Sequence, residues 1–162
     1  MIRPYSPEDA GKILLLNESS IPAVSVIDAQ RLAFFAKEAS WFQVLEVDGQ
    51  VEGFVILLVE STREYMSPNF RWFLKRHERF AYIDRIALSE TVRRNGHGRR
   101  LYEEAEAWVR ANSRALICAE VNTVPPNPAS HRFHRATGFR EVARTRPYGP
   151  DKEVAMYEKY LD

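Results

Sequence analysis

The 162-residue sequence predicts an α+β fold on a mostly antiparallel sheet of six to seven strands. Three observations carry that expectation. Strand-like and helix-like segments alternate along the chain, with no internal repeat or low-complexity tract. Two apolar runs, WFQVLEV and VEGFVILLVE, flank Asp48-Gly49, whose residues accept the positive φ of a two-residue hairpin, so the runs pair antiparallel. After a short helix closed by Gly138, FREVART and EVAMYEKYL read as two closing strands.

The elements follow in order. Ile2 to Pro4 reads as a short strand. Ser6-Pro7-Glu8-Asp9 then supplies a cap, a first-turn proline and two acids for a helix running to about Asn17. After the Ile21-Pro22 break, Asp28 caps a second helix that carries Leu32, Phe34, Phe35 and Ala36 inward and ends near Ser40. The hairpin strands come next. From Ser61 to Glu78 periodicity dissolves into STREYMSPNFRWFLKRHE, read as a long loop, either functional or packed over the sheet. FAYIDRIAL is a strand, Gly98 to Asn112 a helix with Leu101, Ala105, Trp108 and Val109 on one side, RALICAEV a near-continuous apolar strand, and PNPASHRFHRATG a short helix.

Composition excludes several function classes. The length suits one domain, residues 1–162, burying about two thirds of its unfolded surface. Lys plus Arg number 23 against 22 Asp plus Glu, so no overall field draws the chain to nucleic acid or a membrane. The opening MIRPYSPEDA has no apolar signal core and no run approaches a spanning helix, from which a cytoplasmic protein is expected. Cys118 is the single cysteine, which excludes an internal disulfide and argues against a cysteine-based metal site; a buried small hydrophobe is expected there. His77 and His131 lack ligand-like spacing, so no metal is assigned.

The segment RRNGHGRR, Arg93 to Arg100, places four arginines and a histidine around two glycines, between a strand and an amphipathic helix. A helix start offers unpaired N–H groups and a positive dipole end. Gly96 and Gly98 let an anion approach the backbone, and the arginines add charge-assisted hydrogen bonds, so a diphosphate fits the residue types. The dipole contributes only about 0.3–1 kcal/mol, leaving most of the affinity to the N–H groups and arginines. A Walker loop is excluded because a single residue separates the glycines and no Lys-Ser or Lys-Thr follows. A dinucleotide fingerprint is excluded because Leu101 occupies the place of its third glycine.

The order IDRIALSETVRRNGHGRRLYEEAEAWV, LICAEVN, NPASHRFHRATGF resembles the GNAT superfamily of acetyl-CoA-dependent N-acetyltransferases over Phe80 to Val142. The resemblance implies helices on both faces of the sheet and splayed fourth and fifth strands with acetyl-CoA in the cleft between them. Arg93, Gly96 and Gly98 match the family's Arg/Gln-x-x-Gly-x-Gly/Ala turn. It further implies that the amides of Arg94, Asn95, Gly96, His97, Gly98 and Arg99 contact the diphosphate, and that the backbone from Ile86 through Ala87 to Leu88 pairs with the pantetheine arm. Asn127 resembles the family's pantetheine-touching asparagine, or caps the following helix.

Acetyl transfer to an amine needs a base for the amine and a proton for the departing thiolate. Glu120, in A-E-V-N, resembles the glutamate that serves as base in ribosomal-protein alanine acetyltransferases. Asp84 is the second candidate, either facing a cleft or ion-paired; Arg85 is expected to point to the opposite strand face. The family's usual acid is a tyrosine separated from Gly-Phe by three residues; here His134 occupies that slot, where a charged imidazole donates a proton and the alternatives are solvent, Tyr148, Tyr102 or a plain helix-surface histidine. Tyr65, Asn69, Arg71 and Trp72 compose a pocket wall for the acceptor, with Arg71 pairing either a substrate carboxylate or an internal acid. The expectation is a cytoplasmic acetyltransferase acting on a primary amine of a small molecule or a peptide N-terminus, in a ternary complex, with acetyl-CoA, no metal, no nucleic acid and no membrane. A homodimer stays open. A non-catalytic acyl-CoA sensor is the alternative, kept by the missing tyrosine.

Overall fold

A computed structural model describes residues 1–162, which form a seven-stranded mixed sheet and five α-helices. The strands are β1 (Ile2–Pro4), β2 (Trp41–Val47), β3 (Gln50–Val59), β4 (Ala81–Leu88), β5 (Leu116–Val124), β6 (Arg140–Thr145) and β7 (Glu153–Tyr160). The helices are α1 (Ala10–Ser19), α2 (Ala29–Glu38), α3 (Pro68–Arg76), α4 (His97–Ala111) and α5 (Pro128–Ala136). The sheet order is β1-β2-β3-β4-β5-β7-β6, and the α+β class read from the sequence holds. No helix is long and apolar enough to cross a membrane.

The chain divides into two compact units, Met1–Leu58 with Ile83–Ala107 and Val59–Tyr82 with Trp108–Asp162. In the first unit the Asp48-Gly49 hairpin closes with Val47 opposite Gln50. Asp48 and Gly49 have φ of 50° and 75°, the left-handed values such a turn demands. The β1–β2 pair runs antiparallel, and Arg3 ties it to the turn before α1 by donating to Asp9 and Glu46. Asp28 caps α2 by accepting the Arg31 N–H at 2.7 Å. Ile13, Phe35, Val44, Leu45, Phe54, Ile56 and Leu101 have no solvent exposure and form this unit's core.

In the second unit β5 pairs parallel with β4, Ala81 beside Ile117 and Tyr82 beside Cys118, and antiparallel with β7. The segment read as a loop contains α3, which corrects that expectation. Ser67 and Pro68, taken as loop punctuation, are a cap and a first-turn proline: the Ser67 hydroxyl accepts from the Phe70 N–H, and Pro68 needs no amide partner there. Phe70 and Phe73, three apart on one helix face, are fully buried and pack against Phe80 and Tyr82 with ring centroids 5.4–6.2 Å apart. Glu60 accepts a two-pronged contact from Arg114 at 2.7 and 2.9 Å and the Phe80 N–H at 3.1 Å, fixing the start of β4.

Candidate active site

The first group of site residues lies in the first unit. Beyond β4 the chain makes a 3-10 turn at Glu90–Val92, then reaches Arg94 and Gly96 with φ of 65° and 81° before α4 begins at His97. The Arg100 N–H closes the first helical bond on the Gly96 carbonyl at 3.0 Å. The amides of His97, Gly98 and Arg99 therefore sit at the helix start, where no intrahelical acceptor exists. A Cβ on Gly96 would meet nothing within 4 Å, so its φ, not crowding, calls for glycine. Arg93 is turned back: its Nε donates to the Leu88 carbonyl at 2.9 Å, so this side chain braces the turn against the end of β4. The remaining Arg94, Asn95, Arg99 and Arg100 are surface residues. Ile86, Ala87 and Leu88 close β4, with Ser89 N–H donating to the Glu52 carbonyl at 2.8 Å. This donor set, an open backbone turn at a helix N-terminus among arginines, fits a diphosphate.

Asp84 is ion-paired, one of the two readings open from the sequence, but its partner is the neighbouring Arg85, which was expected to point away. Arg85 Nε donates to Asp84 Oδ2 at 2.7 Å, with side chains 5 % and 3 % exposed. The guanidinium also reaches Asn17 Oδ1, the Ser25 carbonyl and Ser25 Oγ, and lies 5.4 Å from the Phe35 ring centre. Strand alternation separates the Cβ directions, but the long arginine folds back across it. Asp84 is thus the acid of a buried ion pair with Arg85, an arrangement that favours a structural role for it.

The second group lies in the second unit and centres on Glu120 of β5. The Tyr82 hydroxyl lies 2.8 and 2.7 Å from its two carboxylate oxygens, and Asn69 Nδ2 donates to Oε1 at 3.2 Å. Tyr82 has no solvent exposure and Asn69 is 5 % exposed, so both donors are fixed by packing. Asn69 Oδ1 is buried without a hydrogen-bond partner, so its acceptor capacity is unused. Tyr82 escaped sequence reasoning; the signal was a hydroxyl-bearing aromatic inside an apolar strand, which needs a polar partner.

Of the other acceptor-side residues, Tyr65 is buried against the Phe70 ring at 5.5 Å, and Trp72 meets Phe73 edge-on at 5.0 Å beneath the Arg76 guanidinium. Arg71 is exposed, its Nη1 lying 3.6 Å from Met66 Sδ. Asn127 caps α5, its Oδ1 accepting the Ser130 N–H at 3.3 Å.

His134 is not the surface histidine considered for that slot. It is 3 % exposed, packed against Phe133, Phe139 and Tyr157 at 5.2–5.6 Å, and Nδ1 donates to the Ser130 carbonyl at 2.8 Å. Burial lowers its pKa to about 4 against an ordinary 6.5, the Ser130 carbonyl opposing only in part. Desolvation therefore disfavours the charged imidazole that an acid in this slot needs. Cys118 is fully buried and burial pushes its thiol far up, in line with the small hydrophobe expected.

The chain resembles ribosomal-protein-S18-alanine N-acetyltransferase from Escherichia coli, with 17 % identity, TM-score 0.76, and 99 % of this chain and 93 % of that one covered. It resembles Naa20 from Chaetomium thermophilum, solved with a bisubstrate analogue, at 24 % identity and TM-score 0.77, covering 99 % and 86 %. A third likeness is to yncA from Salmonella typhimurium, solved with its cofactor acetyl-CoA, at 17 % identity and TM-score 0.74, covering 100 % and 94 %. No curated protein matches the chain in sequence. The family model for the GNAT acetyltransferases matches residues 14–139, and the chain belongs to that family.

Proposed function

We propose that the protein transfers the acetyl group of acetyl-CoA to a primary amine of a small molecule or a peptide N-terminus, by direct attack in a ternary complex with Glu120 as base. The observation that carries this reading is the Glu120 carboxylate, held by Tyr82 and Asn69. Two neutral donors, a hydroxyl and an amide, hold its oxygens in position. The yncA structure with acetyl-CoA and the Naa20 structure with a bisubstrate analogue support the two co-substrates.

Acetyl-CoA, when bound, supplies an activated acyl carbon. The amides of residues 94–99 hold its diphosphate, with Gly96 setting the turn and Arg93 bracing it; Ile86, Ala87 and Leu88 present backbone to the pantetheine arm, and Asn127 adds its amide nitrogen there. Glu120 takes the proton of the incoming amine, directly or through water, as the N–C bond forms and the C–S bond breaks. Asn69 Oδ1, its acceptor capacity unused, suits a second amine N–H and orients the lone pair. The thiolate takes its proton from solvent, because a neutral His134 has none to give at the required acidity.

The test is release of CoA thiol with amino acids, polyamines and peptides bearing free N-termini. Wild type should exceed hydrolysis with at least one amine, and Glu120→Gln should lose about 100-fold or more while acetyl-CoA still raises its melting temperature. Acetyl-CoA at 100 times its dissociation constant adds about 2.7 kcal/mol of stability, and Gly96→Ala should lose most of that gain. A melting shift with no thiol release for any amine would replace this reading with an acyl-CoA sensor. No shift at all would remove the coenzyme from the account.

A further inference from the structure

A second cluster of reactive side chains lies in the second unit, apart from the residues given catalytic roles. Cys118 of β5 and Glu158 of β7 are direct cross-strand partners, so their side chains leave the sheet on one face. His77, the residue that ends α3, comes down onto the same point, its Nε2 2.5 Å from Glu158 Oε1. The thiol, one imidazole nitrogen and a carboxylate oxygen all lie within 4.8 Å of one another. Cys118 has no exposure, and the side chains of Glu158 and His77 are 4 % and 16 % exposed.

We propose that His77 Nε2, Cys118 Sγ and the Glu158 carboxylate form a binding site for one divalent cation of the zinc class, with the fourth position filled from solvent. The donor set decides the class of metal. Calcium and magnesium take oxygen ligands, whereas a thiolate, an imidazole and a carboxylate together suit zinc or cobalt. Metal–ligand bonds of about 2.0–2.3 Å in a tetrahedron put ligand atoms about 3.3–3.7 Å apart. The observed spread brackets that range. His77 and Glu158 must separate by about 1 Å, and the widest pair must close by a similar amount, both within reach of side-chain rotation.

The metal-free state is self-consistent without making the site redundant. Arg76 Nε donates to Glu158 Oε1 at 2.8 Å, so the carboxylate has a cationic neighbour, and Cys118 keeps its proton because burial disfavours the thiolate. On metal uptake the proton on Cys118 leaves to solvent as the S–metal bond forms. His77 binds through Nε2 with its remaining ring proton on Nδ1, and any second ring proton leaves to solvent with that of Cys118. Arg76 stays on the carboxylate as an outer partner, which holds that ligand in place and offsets part of the anionic charge. Access is through His77, which with Arg63, Leu74, Lys75, Arg76 and Glu78 lines a cavity of about 430 Å³. Sequence spacing hid the group because its members come from the end of a helix and from two strands distant along the chain.

The test uses the full-length, reduced, chelator-treated protein titrated with cobalt(II) alone. Thiolate-to-cobalt charge-transfer absorption in the near ultraviolet should saturate at one ion per chain, zinc(II) should abolish it, and a pH indicator should record proton release on binding. His77→Gln should weaken the ion about tenfold or more, in line with losing a ligand contact. Cys118→Ser should lose the charge-transfer band and the zinc-induced rise in melting temperature while melting cooperatively. A wild-type protein without that band would overturn the proposal, as would zinc raising the melting temperature of wild type and Cys118→Ser equally.

Discussion

Acid titration of stability, compared between wild type and His134→Phe, isolates the environment of the histidine in the family's tyrosine slot. Phenylalanine keeps the ring that meets Phe139 at 5.2 Å and Tyr157 at 5.6 Å but cannot take a proton. In the folded protein His134 titrates at about 4, and in the unfolded chain at its ordinary 6.5. Between those values the unfolded state binds the extra proton, so stability rises with pH across the window. The contribution is fully present above 6.5 and is lost as pH falls toward 4. At about 1.4 kcal/mol per pH unit the separation is worth about 3 kcal/mol, of which about 2 kcal/mol should be gone by a pH of about 4.5. Urea denaturation followed by tryptophan fluorescence at both pH values measures this directly. Wild type should lose about 2 kcal/mol more than His134→Phe on acidification. Equal losses would show that the ring is hydrated and charged at acid pH, and would restore it as a proton donor.

Three further outcomes follow from named contacts. Tyr82→Phe removes the hydroxyl bonded to both Glu120 oxygens and should lower stability by about 1.5–3 kcal/mol and slow acetyl transfer; unchanged urea midpoints would mean the contact does not form. Gly53→Ala would place a Cβ 2.4 Å from Leu88 Cδ2 and 3.0 Å from the Ala87 carbonyl, so it should cost about 1–3 kcal/mol by thermal melting and disturb the strand end assigned to the pantetheine arm. Arg114→Ala strips Glu60 of its two-pronged partner. Burial alone pushes this carboxyl up, but Arg114 and backbone N–H donors outweigh it and hold it below its ordinary value. The penalty, about 2–3 kcal/mol near neutrality, should shrink as pH falls through the carboxylate range, and a pH-independent penalty would refute the pairing.

The parts of the fold governed by local chemistry were legible in the sequence. Asp48-Gly49 announces its hairpin because few other pairs tolerate φ of 50° and 75° in succession. Asp28 marks the start of α2 and Gly138 the end of α5, and the glycines of RRNGHGRR mark the turn before α4. The boundaries moved by a residue or two, α4 beginning at His97 and α1 running on to Ser19. What depended on tertiary packing was not legible. In α3 the aromatic density masked the three-residue spacing of Phe70 and Phe73, because Trp72 and Arg71 between them gave the stretch an apolar and charged mixture without a clean stripe. Alternation along β4 starts Arg85 and Asp84 on opposite faces, yet the arginine stem is long enough to cancel the separation. Glu120 was found by resemblance, whereas its partner Tyr82 lies 38 residues away in sequence and only the fold joins them. The same holds for His77, Cys118 and Glu158.

The central claim is that backbone amides at the start of α4 hold the diphosphate of the coenzyme. A crystal structure of the protein grown with CoA tests it most directly. The diphosphate is expected within hydrogen-bond distance of the N–H groups between Arg94 and Arg99. Its location at any other part of the surface, with that turn bound only by solvent, would contradict the account.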